Sequence, residues 1–163
     1  MSYNDEISET YENAGAGVLG ALLLSLIGGI VFVGLFWIDI FAPLAGIITV
    51  VLAIIGFRLF AKKPSLKSVF ISLAVALVVM AVADYFTLAL DAYRAYADWY
   101  STGDVDSPIT FAQAVLYGYQ FLADPAVLSY YLKQFGFSVL FCIAGSSIFI
   151  VDGVKLYKQQ KEY

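Results

Sequence analysis

The 163-residue chain contains no histidine and only one cysteine, Cys142. A single thiol cannot form a disulfide within the chain, and the lack of histidine excludes zinc and iron–sulfur sites built from His and Cys clusters. Because Cys142 lies in an apolar segment, we interpret it as a small buried side chain. We therefore expect no metal site and no cofactor.

Charged residues are also scarce. They make up 13% of the chain, while 61% of the residues are hydrophobic, whereas a soluble domain contains about 25% charged residues. A chain this short cannot bury so much apolar surface in a water-exposed globule. The net charge of −4, without a basic patch, argues against nucleic acid as a partner. The composition predicts one domain surrounded by a lipid bilayer.

Four long segments with almost no charge predict four membrane-spanning helices. A helix needs about 20 apolar residues to cross the hydrocarbon core, and within lipid each segment must satisfy its own backbone amides. The predicted fold class is therefore all-α, a polytopic membrane protein with spans at about 14–38, 40–60, 68–90 and 134–154. The short connection "WIDIFAPL" predicts an antiparallel hairpin with Pro43 in the first turn of the second helix.

The distribution of basic residues predicts the orientation. Seven of the nine flank the loop between spans two and three or follow span four, namely Arg58, Lys62, Lys63, Lys67, Lys155, Lys158 and Lys161. The positive-inside rule places these residues on the cytoplasmic side. We therefore predict a multi-pass protein of the cell membrane with both termini cytoplasmic, an acidic tail at 1–13 and a basic tail at 158–163.

The segment between spans three and four predicts a short helix outside the bilayer. In "STGDVDSP", Ser107 is the expected N-cap and Pro108 the first residue of a helix at about 108–122. Apolar residues recur at helical spacing in that helix, at Phe111, Val115, Leu116, Tyr119 and Leu122. It is too short to span, so we expect an amphipathic outer helix. Asp124 and Pro125 are the expected start of the last helix.

The first two spans each carry a stripe of small residues. The stripes consist of Gly17, Ala21, Ser25 and Gly29 in the first span, and of Gly46, Thr49, Ala53 and Gly56 in the second. Small residues allow membrane helices to approach closely and gain dispersion energy. Two interpretations remain open: the stripes pack against each other within the hairpin, or one of them faces another subunit.

Span three ends in a polar stripe, which is the candidate binding site of this chain. Its members follow one another at spacings of three and four and share one helix face: Asp84, Thr87, Asp91, Arg94 and Asp98. Counted from Ser68, Asp84 lies about 24 Å along the helix, in the outer third of the hydrocarbon core. The spacing predicts that Arg94 pairs with Asp91 or Asp98.

Asp84 has two main interpretations. It is either a structural anchor, which accepts hydrogen bonds from a Tyr, a Ser or the amides of the outer helix, or the floor of an outward-open vestibule that binds a cation or a proton. A subunit contact is the third alternative. Near the other end of the bundle, Asp152 is predicted to form an ion pair with Lys155 or Arg58.

Three stretches carry a resemblance to known proteins: "GVLGALLLSLIGG", "SVFISLAVALVVMAVADYFTLALDAY" and "TFAQAVLYGYQFLADPAVLSYYLKQFGFSVL". Together they resemble uncharacterised bacterial four-helix membrane domains, in which a Gly-rich hairpin precedes a long third helix with an acidic and aromatic end. The resemblance implies a four-helix topology and the bacterial inner membrane. It implies no activity.

The sequence contains no nucleophile–base pair and no metal constellation, so we predict no catalytic residue and no enzyme. The function we expect is that of a non-catalytic membrane module that binds a partner or organises an assembly. Its partners would be the lipid bilayer and either a second copy of this chain or another membrane protein. The alternative is a small oligomeric channel or transporter with an acidic vestibule at Asp84.

Overall fold

The computed structural model describes residues 13–61 and 66–161, with side chains except at 66, 152–153 and 155–161. All regular structure in these ranges is helical, which confirms the predicted all-α class. Five α-helices and two short 3-10 helices follow in the order α1 (Ala14–Trp37), 3-10 (Ala42–Leu44), α2 (Ala45–Ala61), α3 (Leu66–Thr102), α4 (Phe111–Tyr117), 3-10 (Gly118–Ala123) and α5 (Pro125–Lys161).

Four helical segments are long and apolar enough to cross a membrane, as the charge-poor runs predicted. They are Ala14–Trp37, Ala42–Ala61, Lys67–Thr102 and Pro125–Val151. With 37 residues, α3 is about 55 Å long, well beyond the roughly 30 Å of a hydrocarbon core. Its polar C-terminal third therefore continues past the most apolar part of the bundle.

Some of the predicted residues lie outside the part of the chain that is described. These include the acidic tail at 1–12 with Lys62 and Lys63, and also the side chains of Asp152, Lys155, Lys158 and Lys161. The ion pair predicted for Asp152 falls among them. Of its predicted partners, Arg58 is described, and its guanidinium lies 5.1 Å from the centre of the Phe149 ring.

Two predicted helix starts agree with the structure. Asp124 Oδ1 accepts a hydrogen bond from the Ala126 amide at 2.8 Å, directly ahead of Pro125, the first residue of α5. Pro43 lies in the 3-10 turn that leads into α2. Both prolines occupy first-turn positions, where a helix needs no amide donor.

The prediction for the start of the short helix was wrong. Thr110 is the N-cap: the Gln113 amide donates to Thr110 Oγ1 at 3.3 Å, and the Thr110 amide donates to Gln113 Oε1 at 2.7 Å. This reciprocal capping box needs Glu or Gln three residues after the cap. The residue three after Ser107 is Thr110, so Ser107 and Pro108 stay outside the helix. The seven residues of α4 continue directly into the 3-10 helix Gly118–Ala123, so the helical segment begins three residues later than predicted and ends close to the predicted bound.

The buried face of α4 also differs from the predicted apolar stripe. Ala114 and Gly118 are buried, whereas Leu116 is 66% exposed and Tyr119 56% exposed. The reason is close approach to α3: a Cβ placed on Gly118 would lie 3.6 Å from the Cα of Ala89. Small residues therefore bring this segment close to α3. Leu116 and Tyr119 project away from the bundle, whereas the Phe111 ring lies 6.2 Å from that of Tyr93 on α3.

The four long helices form two triangles that share an edge. In one triangle α1 packs on α2 and α3, and in the other α2 and α3 pack on α5. Within the described residues, α1 and α5 are not in contact. The largest fully buried side chains of the bundle include Phe32 of α1, Ile54 and Phe57 of α2, and Met80 of α3.

The stripes of α1 and α2 meet within the hairpin. A Cβ on Gly20 would collide with the carbonyl oxygen of Gly56, and one on Gly56 would collide with that of Gly20. Gly28 packs in the same way on Thr49. In addition, a Cβ on Gly17 would lie 2.7 Å from Cζ of the Phe57 ring. We call these six residues the glycine interface.

Other members of the predicted stripes serve different neighbours. A Cβ on Gly29 would lie 3.1 Å from Val79 of α3, and one on Gly46 would lie 2.8 Å from the Ser138 carbonyl oxygen of α5. Ala21, Ser25 and Ala53 are fully buried. Each stripe thus packs inside this chain, and Gly20 and Gly28, beside the predicted stripe, make the closest approaches.

The bundle has two chemically different ends. We call the end with the α1–α2 connection (38–44) and the segment 103–124 the cap end. The opposite end, where α2 ends at Ala61 and α3 begins at Leu66, is the loop end. The polar stripe of α3 lies toward the cap end.

Candidate functional site

Asp84 is buried in the cap-end half of α3 and is bonded to α5. Only 8% of its surface is exposed. Gln134 Nε2 donates to Asp84 Oδ1 at 2.9 Å and also lies 3.3 Å from Thr87 Oγ1. Thr87 Oγ1 in turn donates to the Asp84 backbone oxygen at 2.7 Å. Because a buried polar group without a partner is costly, this cluster connects α3 firmly to α5.

The segment around α4 is held by Tyr85 rather than by Asp84. The Tyr85 hydroxyl donates to the Val115 carbonyl oxygen at 2.6 Å. Neighbouring helix residues project about 100° apart, so Tyr85 points at α4 while Asp84 points at α5. The expectation that Asp84 anchors the outer helix was therefore wrong, although its carboxylate does join two helices.

Asp91 forms a second connection between α3 and α5. The Tyr131 hydroxyl donates to Asp91 Oδ2 at 2.6 Å, and Tyr131 is buried. Asp91 lies two turns after Asp84 on the same face of α3, and it is partly exposed. The polar stripe therefore runs from a buried carboxylate to one that reaches the surface.

Arg94 does not form the predicted ion pair. Its Nη2 donates to the Trp37 carbonyl oxygen at 3.0 Å, and its guanidinium lies 4.4 Å from the centre of the Trp37 ring. No ion pair joins it to Asp91 or Asp98 in the described part of the chain. The C-terminus of α1 offers free carbonyls and the negative end of the helix dipole, and an indole ring attracts a cation as well.

Asp39 occupies a strained position just after α1. Its φ is 56°, the only positive value at a non-glycine residue in the described ranges. The Ile40 amide donates to the Leu35 carbonyl oxygen at 2.9 Å, and the Asp39 amide to that of Phe36 at 3.1 Å. These two bonds define a Schellman motif, whose left-handed position usually carries Gly. The chain instead places a carboxylate there.

A cavity of about 610 Å³ opens at the cap end between the α1–α2 connection, α3 and α5. We call it the vestibule. Its polar lining is Asp39, Asp91, Tyr130, Lys133 and Gln134, and its aromatic lining is Phe36, Phe41 and Phe137. The volume is within the range of small-molecule sites. Asp91 and Tyr130 also border a smaller neighbouring cavity of about 360 Å³ under the segment 121–127.

Asp84 lies behind the vestibule and is not among its lining residues. Gln134 contributes to the lining, and the amide of the same side chain is bonded to Asp84. Asp39, Asp84 and Asp91 are all near enough to the Tyr130 hydroxyl to interact with it electrostatically. Of the four predicted site residues Asp84, Thr87, Asp91 and Arg94, the structure brings the first three to one corner, and only Asp91 lines the vestibule.

Some of the charged atoms in the vestibule have no partner among the described residues. Within the described residues, no hydrogen bond or ion pair reaches the Asp39 carboxylate, Asp91 Oδ1 or the Lys133 ammonium. By contrast, Asp84 Oδ1 accepts a hydrogen bond from Gln134, and Arg94 donates one to the Trp37 carbonyl oxygen. The vestibule therefore offers acidic and basic groups that remain available to a ligand.

Below the vestibule the bundle is apolar and closed. Phe32, Ile54 and Met80 are fully buried there. The hydroxyls between the helices donate to carbonyl oxygens of their own helices, at 2.7–3.0 Å, in the pairs Ser25–Leu22, Thr49–Ala45, Ser72–Ser68 and Ser146–Ile143. A bonded hydroxyl of this kind offers little to a passing ion. Within the described residues, one copy of the bundle therefore has no polar path from one end to the other.

Cys142 is fully buried, as expected from its apolar surroundings, and its Sγ donates to the Gly46 carbonyl oxygen at 3.3 Å. Across the described residues, no group of three or more His, Cys, Asp or Glu side chains is placed to hold a metal ion.

The chain matches no protein-family model, no curated protein and no solved structure. The resemblance to bacterial four-helix membrane domains therefore stays a prediction. Function has to be argued from the geometry of the site itself.

Sequence reasoning missed five residues of the site: Asp39, Tyr130, Tyr131, Lys133 and Gln134. Asp39 did leave a signal, because it is the single charge between two apolar helices in a very short turn. Gln134 left one as well, since it is an amide at the start of an apolar run. Their convergence on the α3 stripe depends on how α5 packs, which no local pattern shows.

Proposed function

We propose that this protein is a non-catalytic integral membrane module that binds a ligand or partner through the vestibule, on the outer side of the cell membrane. The observation that supports this proposal is the vestibule itself. It is a cavity open at one end, with charged groups that have no partner in the described chain, and it lies above a closed apolar bundle. Binding requires only the open end. Conduction would require the interior to be polar.

The orientation follows from the charges. Arg58, Lys62, Lys63 and Lys67 flank the loop end, whereas the cap end carries only Arg94 and Lys133. The positive-inside rule then places the loop end in the cytoplasm and the vestibule outside. Exposed aromatic side chains at the cap end are typical of the headgroup region, and they include Trp37, Trp99, Tyr100, Tyr117 and Tyr119.

Cysteine accessibility at two depths of α5 tests this function. Lys133 lines the vestibule, and Ser138 lies just over one turn deeper and is buried. In intact cells, a membrane-impermeant maleimide should modify a Lys133→Cys variant and leave a Ser138→Cys variant unmodified. Wild-type protein is the control, since Cys142 is buried. Strong modification of the S138C variant would show that water continues into the bundle and would overturn the proposal.

Ion flux separates the module from a channel. In liposomes, the wild-type protein and an Asp84→Asn variant should both give flux equal to that of empty vesicles, because the bundle interior offers no polar path. Flux above that of empty vesicles, reduced by D84N, would favour the oligomeric channel or transporter instead.

A further inference from the structure

We propose that the vestibule binds a zwitterion that carries a protonated amine and an oxyanion, the chemistry of a phosphoethanolamine group. The inference rests on the proposed function, because it names the ligand class of the same cavity. It is carried by the arrangement of free charges and aromatic rings around the cavity.

The acidic side of the vestibule fits an ammonium group. Asp39 and Asp91 line the cavity, the Asp39 carboxylate and Asp91 Oδ1 have no partner in the described chain, and Tyr131 holds Asp91 in place through Oδ2. Asp84 adds a third carboxyl group behind the wall. An ionised carboxylate forms short and strong hydrogen bonds with a protonated amine. With two carboxylates and one ammonium in the lining, an anion alone is disfavoured.

The aromatic wall favours the same group. Phe36, Phe41, Phe137 and Tyr130 line the cavity, and the faces of aromatic rings attract organic cations. Two of these rings, Phe41 and Phe137, are in edge-to-face contact with 5.7 Å between their centroids, and Phe41 also contacts Phe141 with 6.1 Å between centroids. A wall fixed in this way loses little side-chain freedom when a ligand binds.

Lys133 supplies the complementary charge. It shares the cavity with Asp39 and Asp91, yet no ion pair joins it to either residue in the described chain. Opposite charges that line one cavity without meeting leave room for a molecule that carries both signs. A zwitterion can place its amine on the carboxylates and its oxyanion on the lysine, so that all three protein charges become paired.

Two sources can supply this chemistry. The cap end lies at headgroup depth in the proposed orientation, so the zwitterion is either the headgroup of phosphatidylethanolamine or a water-soluble phosphoethanolamine ester. A volume of about 610 Å³ accommodates a headgroup together with its glycerol, since such sites commonly measure about 300–1,000 Å³.

Native mass spectrometry of the full-length protein in detergent tests the proposal, with short-chain phosphatidylethanolamine and phosphatidylglycerol as probes. Phosphatidylglycerol carries the phosphate but no amine, so it should bind at least tenfold more weakly. A variant with both Asp39→Asn and Asp91→Asn should lose at least tenfold in affinity for phosphatidylethanolamine. Asn is tolerated at the positive φ of position 39. At position 91 the Asn side-chain oxygen can still accept the hydrogen bond from the Tyr131 hydroxyl, so this variant should fold.

Matched controls separate local from general effects of charge. Asp106→Asn removes an exposed acid that does not line the vestibule, and Lys67→Met removes an exposed lysine at the loop end. Neither should alter binding, whereas Lys133→Met should weaken it several-fold. Equal affinity for the two lipids, or an unchanged affinity in the double Asn variant, would overturn the proposal.

Competition by soluble glycerophosphoethanolamine identifies the source. Displacement of the lipid at millimolar concentration supports recognition of the headgroup alone, and binding of the lipid without displacement supports the membrane lipid. Binding of neither probe overturns the zwitterion proposal. In that case, labelling of the K133C variant from outside still supports an open vestibule, so the two failures can be told apart.

Discussion

The glycine interface and the vestibule consist of opposite kinds of residue. In the glycine interface, Gly20 and Gly56 bring two backbones into contact, and the nearby hydroxyls of Ser25 and Thr49 donate to carbonyl oxygens of their own helices. In the vestibule, charged side chains surround about 610 Å³ of open space, and among the described residues the Asp39 carboxylate, the Lys133 ammonium and one oxygen of Asp91 have no partner. The two regions are joined by α1, which passes from one to the other.

The difference separates residues that hold the bundle together from residues that are available for binding. Asp84, Gln134 and Arg94 are polar and form hydrogen bonds between helices. Within the described part of the chain, the side chains of Asp39 and Lys133 take part in no such hydrogen bond. Substitution should therefore affect stability in the first group and binding in the second, and the following variants test that separation.

The largest effect is expected for Gly20→Ala. The new methyl group would collide with the Gly56 carbonyl oxygen, a backbone atom that cannot turn aside. Overpacking of this kind costs about 3 kcal/mol. Gly34→Ala is the matched control, because a Cβ at Gly34 meets nothing within 4 Å and removal of a helical glycine is neutral or favourable. Reversible unfolding in mixed micelles measures both variants. Equal stability of the two would contradict the packing described.

Gln134→Ala should have the next largest effect. It leaves the buried Asp84 carboxyl without its donor, at a cost of about 1.5 kcal/mol. The same unfolding measurement on Asp84→Ala and on the double variant completes a cycle. We expect a coupling energy of about 1 kcal/mol. Additive effects would show that the two side chains do not interact.

Arg94 and Lys133 compare a bonded cation with a free one at the same end of the bundle. Arg94→Ala removes the hydrogen bond to the Trp37 carbonyl and the contact with its ring, and should cost about 1 kcal/mol. Lys133→Ala should change stability by less than about 0.5 kcal/mol. A larger loss from K133A than from R94A would reverse the assignment of these two residues.

The smallest effect is an increase in stability. Asp39→Gly relieves a left-handed conformation with φ of 56° and should stabilise the protein by about 0.5 kcal/mol. Asp39→Asn keeps the tolerance for that conformation and should leave stability unchanged. Ligand binding provides the second readout, since both variants lose the carboxylate. We expect the D39G variant to be more stable than the wild-type protein and to bind the ligand more weakly.

The sequence predicted the parts of this structure that depend on local composition. Charge-poor runs predicted the four long helices, and Asp124 with Pro125 predicted the start of α5. The predicted start of α4 was wrong because the helix is capped by the Thr110–Gln113 pair and not by Ser107. The two candidate N-caps lie only three residues apart. The α3 stripe was visible because one helix displays it at regular spacing.

The vestibule was not predictable in the same way. Asp39, Asp91 and Lys133 come from three separate segments, and only the packing of α5 on α3 brings them together. Arg94 shows the same limit. Its spacing favours an ion pair with Asp91 or Asp98, yet its guanidinium donates instead to the Trp37 carbonyl oxygen at the C-terminus of α1. Contacts within one helix can be predicted from residue spacing, whereas contacts between helices depend on how the helices pack together.

We propose that this bundle crosses the membrane with its vestibule outside, and labelling of two exposed positions at opposite ends of the bundle tests this orientation. Asp39 lies at the vestibule, and Lys67 lies at the loop end. In intact cells, an impermeant maleimide should modify the D39C variant and leave the K67C variant unmodified until the membrane is permeabilised. Modification of K67C but not D39C in intact cells would contradict the orientation, and equal modification of both would contradict the membrane crossing.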